Sequence, residues 1–204
     1  AGLYMAEERG YFEDEGLSVT LIEGGPGVNP LTELEEGRVD AAISRLANQH
    51  SHHTNEAVST INVAQILNIP SLVVLCRLET GVLRAEDLKG QRIGIWDLGD
   101  KAIVKQILHQ VGISPDAVEF VTQRSDGADL IDGSLPCVTA MEYNEQYAIF
   151  QSGITPAELL TVRPANYGIV VPEDGPYVAT DRIESAEFQA DLTSFLRALR
   201  HGWL

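Results

Sequence analysis

The stretch Arg92-Ile93-Gly94-Ile95-Trp96-Asp97-Leu98-Gly99-Asp100-Lys101-Ala102-Ile103-Val104-Lys105-Gln106-Ile107-Leu108-His109-Gln110-Val111-Gly112 decides the fold. Arg92 to Trp96 reads as a strand ending in an indole. Asp100 can cap the helix that follows, and Ile103, Val104, Ile107, Leu108 and Val111 recur near the 3.6-residue helical period. Gly112 stops that helix, and Val118 to Val121 reads as the next strand. Short aliphatic runs alternating with helical patterns predict an α/β fold with a largely parallel sheet.

The same alternation extends outward on both sides. Leu72-Val73-Val74-Leu75 is wholly apolar, as in a strand buried on both faces. Before it, Leu17, Val19 and Leu21 alternate as a strand, Asn29 and Pro30 suit a helix start, and Val39 to Ile43 reads as another strand. A polar stretch, Asn48 to Asn55, leads towards Ile61 to Ile66. After it, Cys137 to Ala140 reads as a strand, and Tyr143, Tyr147 and Phe150 fall on one helical face. Phe188, Leu192, Phe195, Leu196, Leu199 and Trp203 predict a long amphipathic C-terminal helix. Residues 1–9 read as a helix without a cap, and the last helix has no stop signal, so the chain is expected to be cut at both ends.

Composition narrows the function classes. With 204 residues, 44% hydrophobic and 22% charged, the chain can form one large domain or two small lobes without help from metals or disulfides. A net charge of −16 disfavours nucleic acid and anionic membranes as partners. The acidic bias fits a solvated surface, or an acidic pocket for cationic ligands. No apolar run is long enough to span a membrane. Cys76 and Cys137 lie in or beside apolar runs, where a free thiol packs well; their spacing neither requires nor excludes a disulfide.

Several strings resemble one family. They are Ala1-Gly2-Leu3-Tyr4-Met5-Ala6-Glu7-Glu8-Arg9-Gly10-Tyr11-Phe12 with Glu15-Gly16-Leu17, then Gly24-Gly25-Pro26-Gly27-Val28-Asn29-Pro30 and Gly37-Arg38-Val39-Asp40, then Leu88 to Trp96, Tyr143-Asn144-Glu145 and Asn166-Tyr167-Gly168. In order and spacing they are similar to the NMT1/THI5-like substrate-binding domain. That resemblance implies a two-lobed type II periplasmic-binding-protein fold with two crossover strands. The expected division is 1–75 plus 170–204 as one lobe and 78–163 as the other, with crossovers near 76–79 and 164–169. Relatives bind pyrimidine precursors of thiamine, riboflavin, sulfonates, nitrate or taurine, so the resemblance implies an extracytoplasmic binding protein serving an ABC permease. The expected reading is a non-enzyme that captures a small heteroaromatic such as a thiamine pyrimidine precursor. No cofactor or metal is implied.

Ligands in open α/β sheets sit beyond the carboxyl ends of strands. Four segments qualify: 23–29, 44–48, 96–100 and 141–145. Trp96 can stack on a flat ring or serve as a core tryptophan. Glu145 can accept from a ring amine or simply favour a helix start, with Tyr143 as an aromatic wall. Gly25 and Gly27 can offer backbone N–H groups or form a plain turn, with Asn29 beside them. The family strings add Tyr4 and Tyr167. Asp97 and Asp100 flank the indole and would repel an anion by several kcal/mol in a partly dry cleft, which favours a neutral or cationic ring. His50, His52 and His53 sit among polar residues and read better as a solvated stretch than as metal ligands.

Two other functions share the fold. A sensor domain would use the same pocket and differ only in its flanks. A thiamine-pyrimidine synthase, by the resemblance, would need a lysine in the first lobe to hold pyridoxal phosphate. The lysines here are Lys89, Lys101 and Lys105, so none precedes position 89.

Overall fold

The computed structural model describes residues 2–24, 28–46, 48, 59–96 and 98–204. These form two compact α/β units, the smaller within 1–44, 53–65 and 175–204, the larger within 45–52 and 66–174.

The larger unit is built on a mixed sheet in the order β5-β4-β6-β3-β7. Its strands are β3 (Leu72–Arg77), β4 (Arg92–Ile95), β5 (Glu119–Thr122), β6 (Cys137–Met141) and β7 (Leu159–Val162). β4 pairs in parallel with β5 and β6, whereas β3 is antiparallel to both β6 and β7. The largely parallel expectation therefore holds for four strand directions and fails at β3.

β3 shows why this sheet is buried on both faces. Leu72, Val74 and Cys76 join one core cluster with Ile103, Val104, Ile107 and Leu108 of the helix α4 (Leu98–Gln110). Val73 and Leu75 point the other way, to Leu130 of the short helix α5 (Ala128–Ile131) and Ile149 of α6 (Glu145–Gln151). An unbroken apolar run is what a strand between two helical layers requires. Cys76 and Cys137 face each other in the β3–β6 ladder and form a disulfide.

The smaller unit has the sheet order β1-β8-β2, from β1 (Ala42–Ser44), β2 (Thr60–Asn62) and β8 (Gly175–Ala179), with both outer strands antiparallel to β8. Helix α3 (Pro30–Glu35) packs Leu31 and Leu34 on Ala42 and Tyr177. Asn29 caps α3 by accepting from the Leu31 N–H at 3.0 Å, with Pro30 in the first turn, as its sequence position predicts. Helices α1 (Gly2–Glu8), α2 (Tyr11–Asp14) and α7 (Ala186–Trp203) form a second layer, in which Phe12 stacks on Phe195 at 5.6 Å. At Gly2 and Gly202 a Cβ would lie 2.1 Å from Trp203 and from the Gly2 carbonyl respectively, so this helix contact needs glycine at both positions.

Three expectations need correction. Leu17 and Val19 pack beneath α7, but residues 17–24 hydrogen-bond to no strand among the described residues, so their alternation marks a packed loop. Tyr143 precedes α6, so it shares no helical face with Tyr147 and Phe150. The long segment of the larger unit runs from 66 to 174, where the expected crossovers lay near 76–79 and 164–169. The reason is β3: its ladder partners are β6 and β7, which puts 72–75 in the larger unit and not with the 1–75 lobe.

Candidate ligand pocket

Within the larger unit, a cavity of about 250 Å³ opens at the carboxyl ends of β5, β4 and β6. Trp96 follows β4, Gln123 follows β5, and Met141 ends β6 and leads into Tyr143, Asn144 and Glu145. Arg45, Leu72, Asp100, Thr139, Ala140 and Asp174 complete the wall. Three of the four segments expected from strand ends thus supply lining residues.

The floor is a polar network. Asp100 is 1% exposed, and its Oδ1 accepts from Arg45 Nη1 at 2.5 Å. Its Oδ2 accepts from the Thr139 hydroxyl at 2.9 Å and more weakly from the Trp96 N–H at 3.4 Å. Gln123 exchanges hydrogen bonds with the Thr139 backbone at 2.8 and 3.0 Å, bracing β6 from the end of β5. Gly94 makes that brace fit: a Cβ there would meet the Gln123 Cβ at 2.9 Å. Among the described residues, Arg45–Asp100 is the ion pair with both side chains nearly buried, 9% and 2% exposed.

The rim is acidic and aromatic. Glu145 accepts from the Met141 N–H at 2.8 Å and from Asn144 Nδ2 at 3.0 Å. A carboxylate has about four acceptor positions, so this anchored group retains capacity for a ligand donor. Tyr143 donates its hydroxyl to Asp174 at 2.7 Å. The residue as a whole is 47% exposed, and its hydroxyl end sits against Asp174. Burial of that end, with the Asp174 charge beside it, pushes its pKa well above the usual tyrosine range. The phenol therefore stays a donor through neutral pH. Trp96 is half-buried on the wall.

Of the expected site residues, Trp96, Tyr143 and Glu145 come together here. Tyr167 does not; it ends a 3-10 turn and packs on the core beside α4. Tyr4 lies on α1, half exposed, and Asn29 caps α3, both in the smaller unit. Gly25 and Gly27 fall outside the described residues, as do His50, His52, His53 and Asp97. Among the described residues, no group of three His, Cys, Asp or Glu side chains is placed to hold a metal.

The sequence argument that Asp100 repels anions is also corrected. Its carboxylate is engaged by Arg45, and Glu145 and Asp174 are the other carboxylates on the described wall. Arg45 and Asp174 were missed because each is a single charged residue with no local pattern. The one available signal for Arg45 was its place just past a strand end.

A family model described as NMT1/THI5 like matches residues 1–204. A formylaminopyrimidine-binding protein of Halalkalibacterium halodurans is 23% identical, with 98% of this chain aligned to 60% of that protein. A 4-amino-5-hydroxymethyl-2-methylpyrimidine phosphate synthase of Candida albicans is 26% identical, with 98% of this chain aligned to 61% of that protein. The chain thus spans under two thirds of each of these relatives. Among solved structures, the alkanesulfonate-binding protein SsuA of Xanthomonas axonopodis pv. citri, bound to MOPS, superposes with a TM-score of 0.77 at 14% identity, covering 98% of this chain and 68% of that one. At that identity the match establishes the periplasmic-binding-protein fold.

Proposed function

The chain belongs to the NMT1/THI5-like family, and on that premise we propose that it captures a thiamine-pyrimidine type of heteroaromatic for import through an ABC permease. The observation that carries this reading is the convergence of Trp96, Tyr143 and Glu145 on one cavity of about 250 Å³. A flat ring needs a stacking surface, which Trp96 offers. A ring amine needs an acceptor away from bulk water, which Glu145 offers. The volume lies near the small end of ligand pockets, roughly 300–1,000 Å³, and so favours a single ring over a flavin. The formylaminopyrimidine-binding relative supports the same class.

The synthase relative raises the enzyme alternative. A pyridoxal phosphate site of that kind needs an amine for its Schiff base. Residues 1–88 contain no lysine, and the cavity wall contains none. The residues present do not fit that cofactor, and binding without chemistry is the reading we adopt.

An extracytoplasmic location follows from the import reading. The Cys76–Cys137 disulfide supports it, because such bonds persist in oxidising compartments. No helix among the described residues is long and apolar enough to cross a membrane.

Substitution tests the site directly. Trp96→Ala should weaken binding of formylaminopyrimidine or hydroxymethylpyrimidine by about 1–3 kcal/mol through lost stacking and apolar contact. Glu145→Gln should cost roughly 1.5–3 kcal/mol by weakening a charge-assisted hydrogen bond. Both act on one ligand, so a double-mutant cycle by calorimetry should be non-additive. Variants that stay folded by circular dichroism and bind like wild type would return Trp96 to a wall residue and Glu145 to a brace for Met141.

A further inference from the structure

We infer that the Arg45–Asp100 pair sets the charge class of ligand that the cavity admits. The inference rests on reading the cavity as a ligand pocket. Arg45 is the single basic side chain on its described wall. A guanidinium facing a partly dry cavity is a ready anion site, because its planar fork matches carboxylates, sulfonates and phosphates. Here Asp100 engages that group at 2.5 Å, and the Thr139 hydroxyl and the Trp96 N–H hold Asp100 in turn. Asp100 is thus an internal counter-ion, built into the first turn of α4 and fixed from β6.

The charge balance then decides selectivity. Arg45 and Asp100 pair, and Glu145 and Asp174, the latter accepting from the Tyr143 hydroxyl, stand on the same described wall. An incoming anion meets a cation already paired and two further carboxylates. A neutral or protonated amino-heteroaromatic meets acceptors. Asp100 is therefore a positioning residue: it acts on the ligand through Arg45 and through the backbone that carries Trp96.

The test uses simple ions, so it does not depend on the natural ligand. Asp100→Asn keeps the shape and the acceptor for Thr139 while removing the carboxylate charge that engages Arg45. Methanesulfonate should bind this variant at least tenfold more tightly than wild type by calorimetry, and the gain should fall with added chloride. Arg45→Gln should act in the opposite direction, raising affinity for imidazolium at least fivefold at a pH where that probe is charged. Arg45→Met combined with Asp100→Leu removes both charges, and it should bind methanesulfonate no better than wild type.

Folded Asp100→Asn protein with unchanged methanesulfonate affinity would overturn the inference. So would unchanged imidazolium affinity in Arg45→Gln if Asp100→Asn does not fold. Wild-type protein that binds methanesulfonate more tightly than imidazolium would overturn it without any variant. If wild type ignored aminopyrimidines yet Asp100→Asn gained the sulfonate, the pyrimidine reading would fail and the counter-ion role would stand.

Discussion

Glu173→Ala should destabilise the larger unit by about 3–5 kcal/mol, the range for removing one partner of a buried charged interaction. Glu173 is 1% exposed, an unusual place for a carboxylate. It tolerates that position because the chain offers it donors. One oxygen accepts from the Ser71 N–H at 2.8 Å and from the Ser71 hydroxyl, and the other accepts from the Leu72 N–H at 3.0 Å. The Glu173 N–H in turn donates to the Leu67 carbonyl at 2.9 Å. These bonds tie the end of the larger unit to the start of β3. Truncation would strand buried donors and leave a cavity, each of which carries a cost. Urea unfolding followed by Trp96 fluorescence, in a Trp203→Phe background, reports on this unit. The midpoint should fall without a change in slope. A loss under about 1 kcal/mol would mean that Glu173 is not a structural tie.

Breaking the Cys76–Cys137 bond should cost about 2–4 kcal/mol, the usual range for a disulfide that closes a long loop. The two cysteines are 61 residues apart in sequence, and both are fully buried beside the α4 core. The bond joins β3 to β6, the contact that makes β3 part of the larger sheet. Cys76→Ala combined with Cys137→Ala should show the loss in urea unfolding. Denatured, unreduced wild type should resist iodoacetamide, and reduction should expose two reactive thiols. Labelling of both cysteines without reduction would contradict the bond.

Much of the fold is legible in the sequence, and the legible parts share a cause. The α4 periodicity, the unbroken apolar run of β3 and the amphipathic pattern of α7 are local signals set by which faces must be buried. The cavity-lining places of Trp96, just past β4, and Glu145, at the start of α6, are legible because clefts in α/β sheets open beyond the carboxyl ends of strands. Pairings distant in sequence are not legible. Arg45 and Asp100 are 55 positions apart, and Ser71 and Glu173 are 102 apart, so no window of sequence contains either pair. Asp100 read as a bare negative charge because its counter-ion was out of view. The same limit left the disulfide open, since the β3–β6 register decides it. It also misplaced the unit boundary, since β3 follows the smaller unit in sequence but pairs within the larger one. At 17–21 the alternation is real, yet among the described residues no strand lies alongside to accept it.

The central proposal is that this cavity takes an amino-substituted pyrimidine and refuses small anions. Calorimetric titration of the protein with formylaminopyrimidine, hydroxymethylpyrimidine, methanesulfonate and nitrate tests it most directly. One of the pyrimidines should bind saturably at a single site with a Kd of about 1 μM or tighter, near −8 kcal/mol, and the anions should give no saturable heat. Saturable binding of methanesulfonate or nitrate, with neither pyrimidine binding, would contradict it.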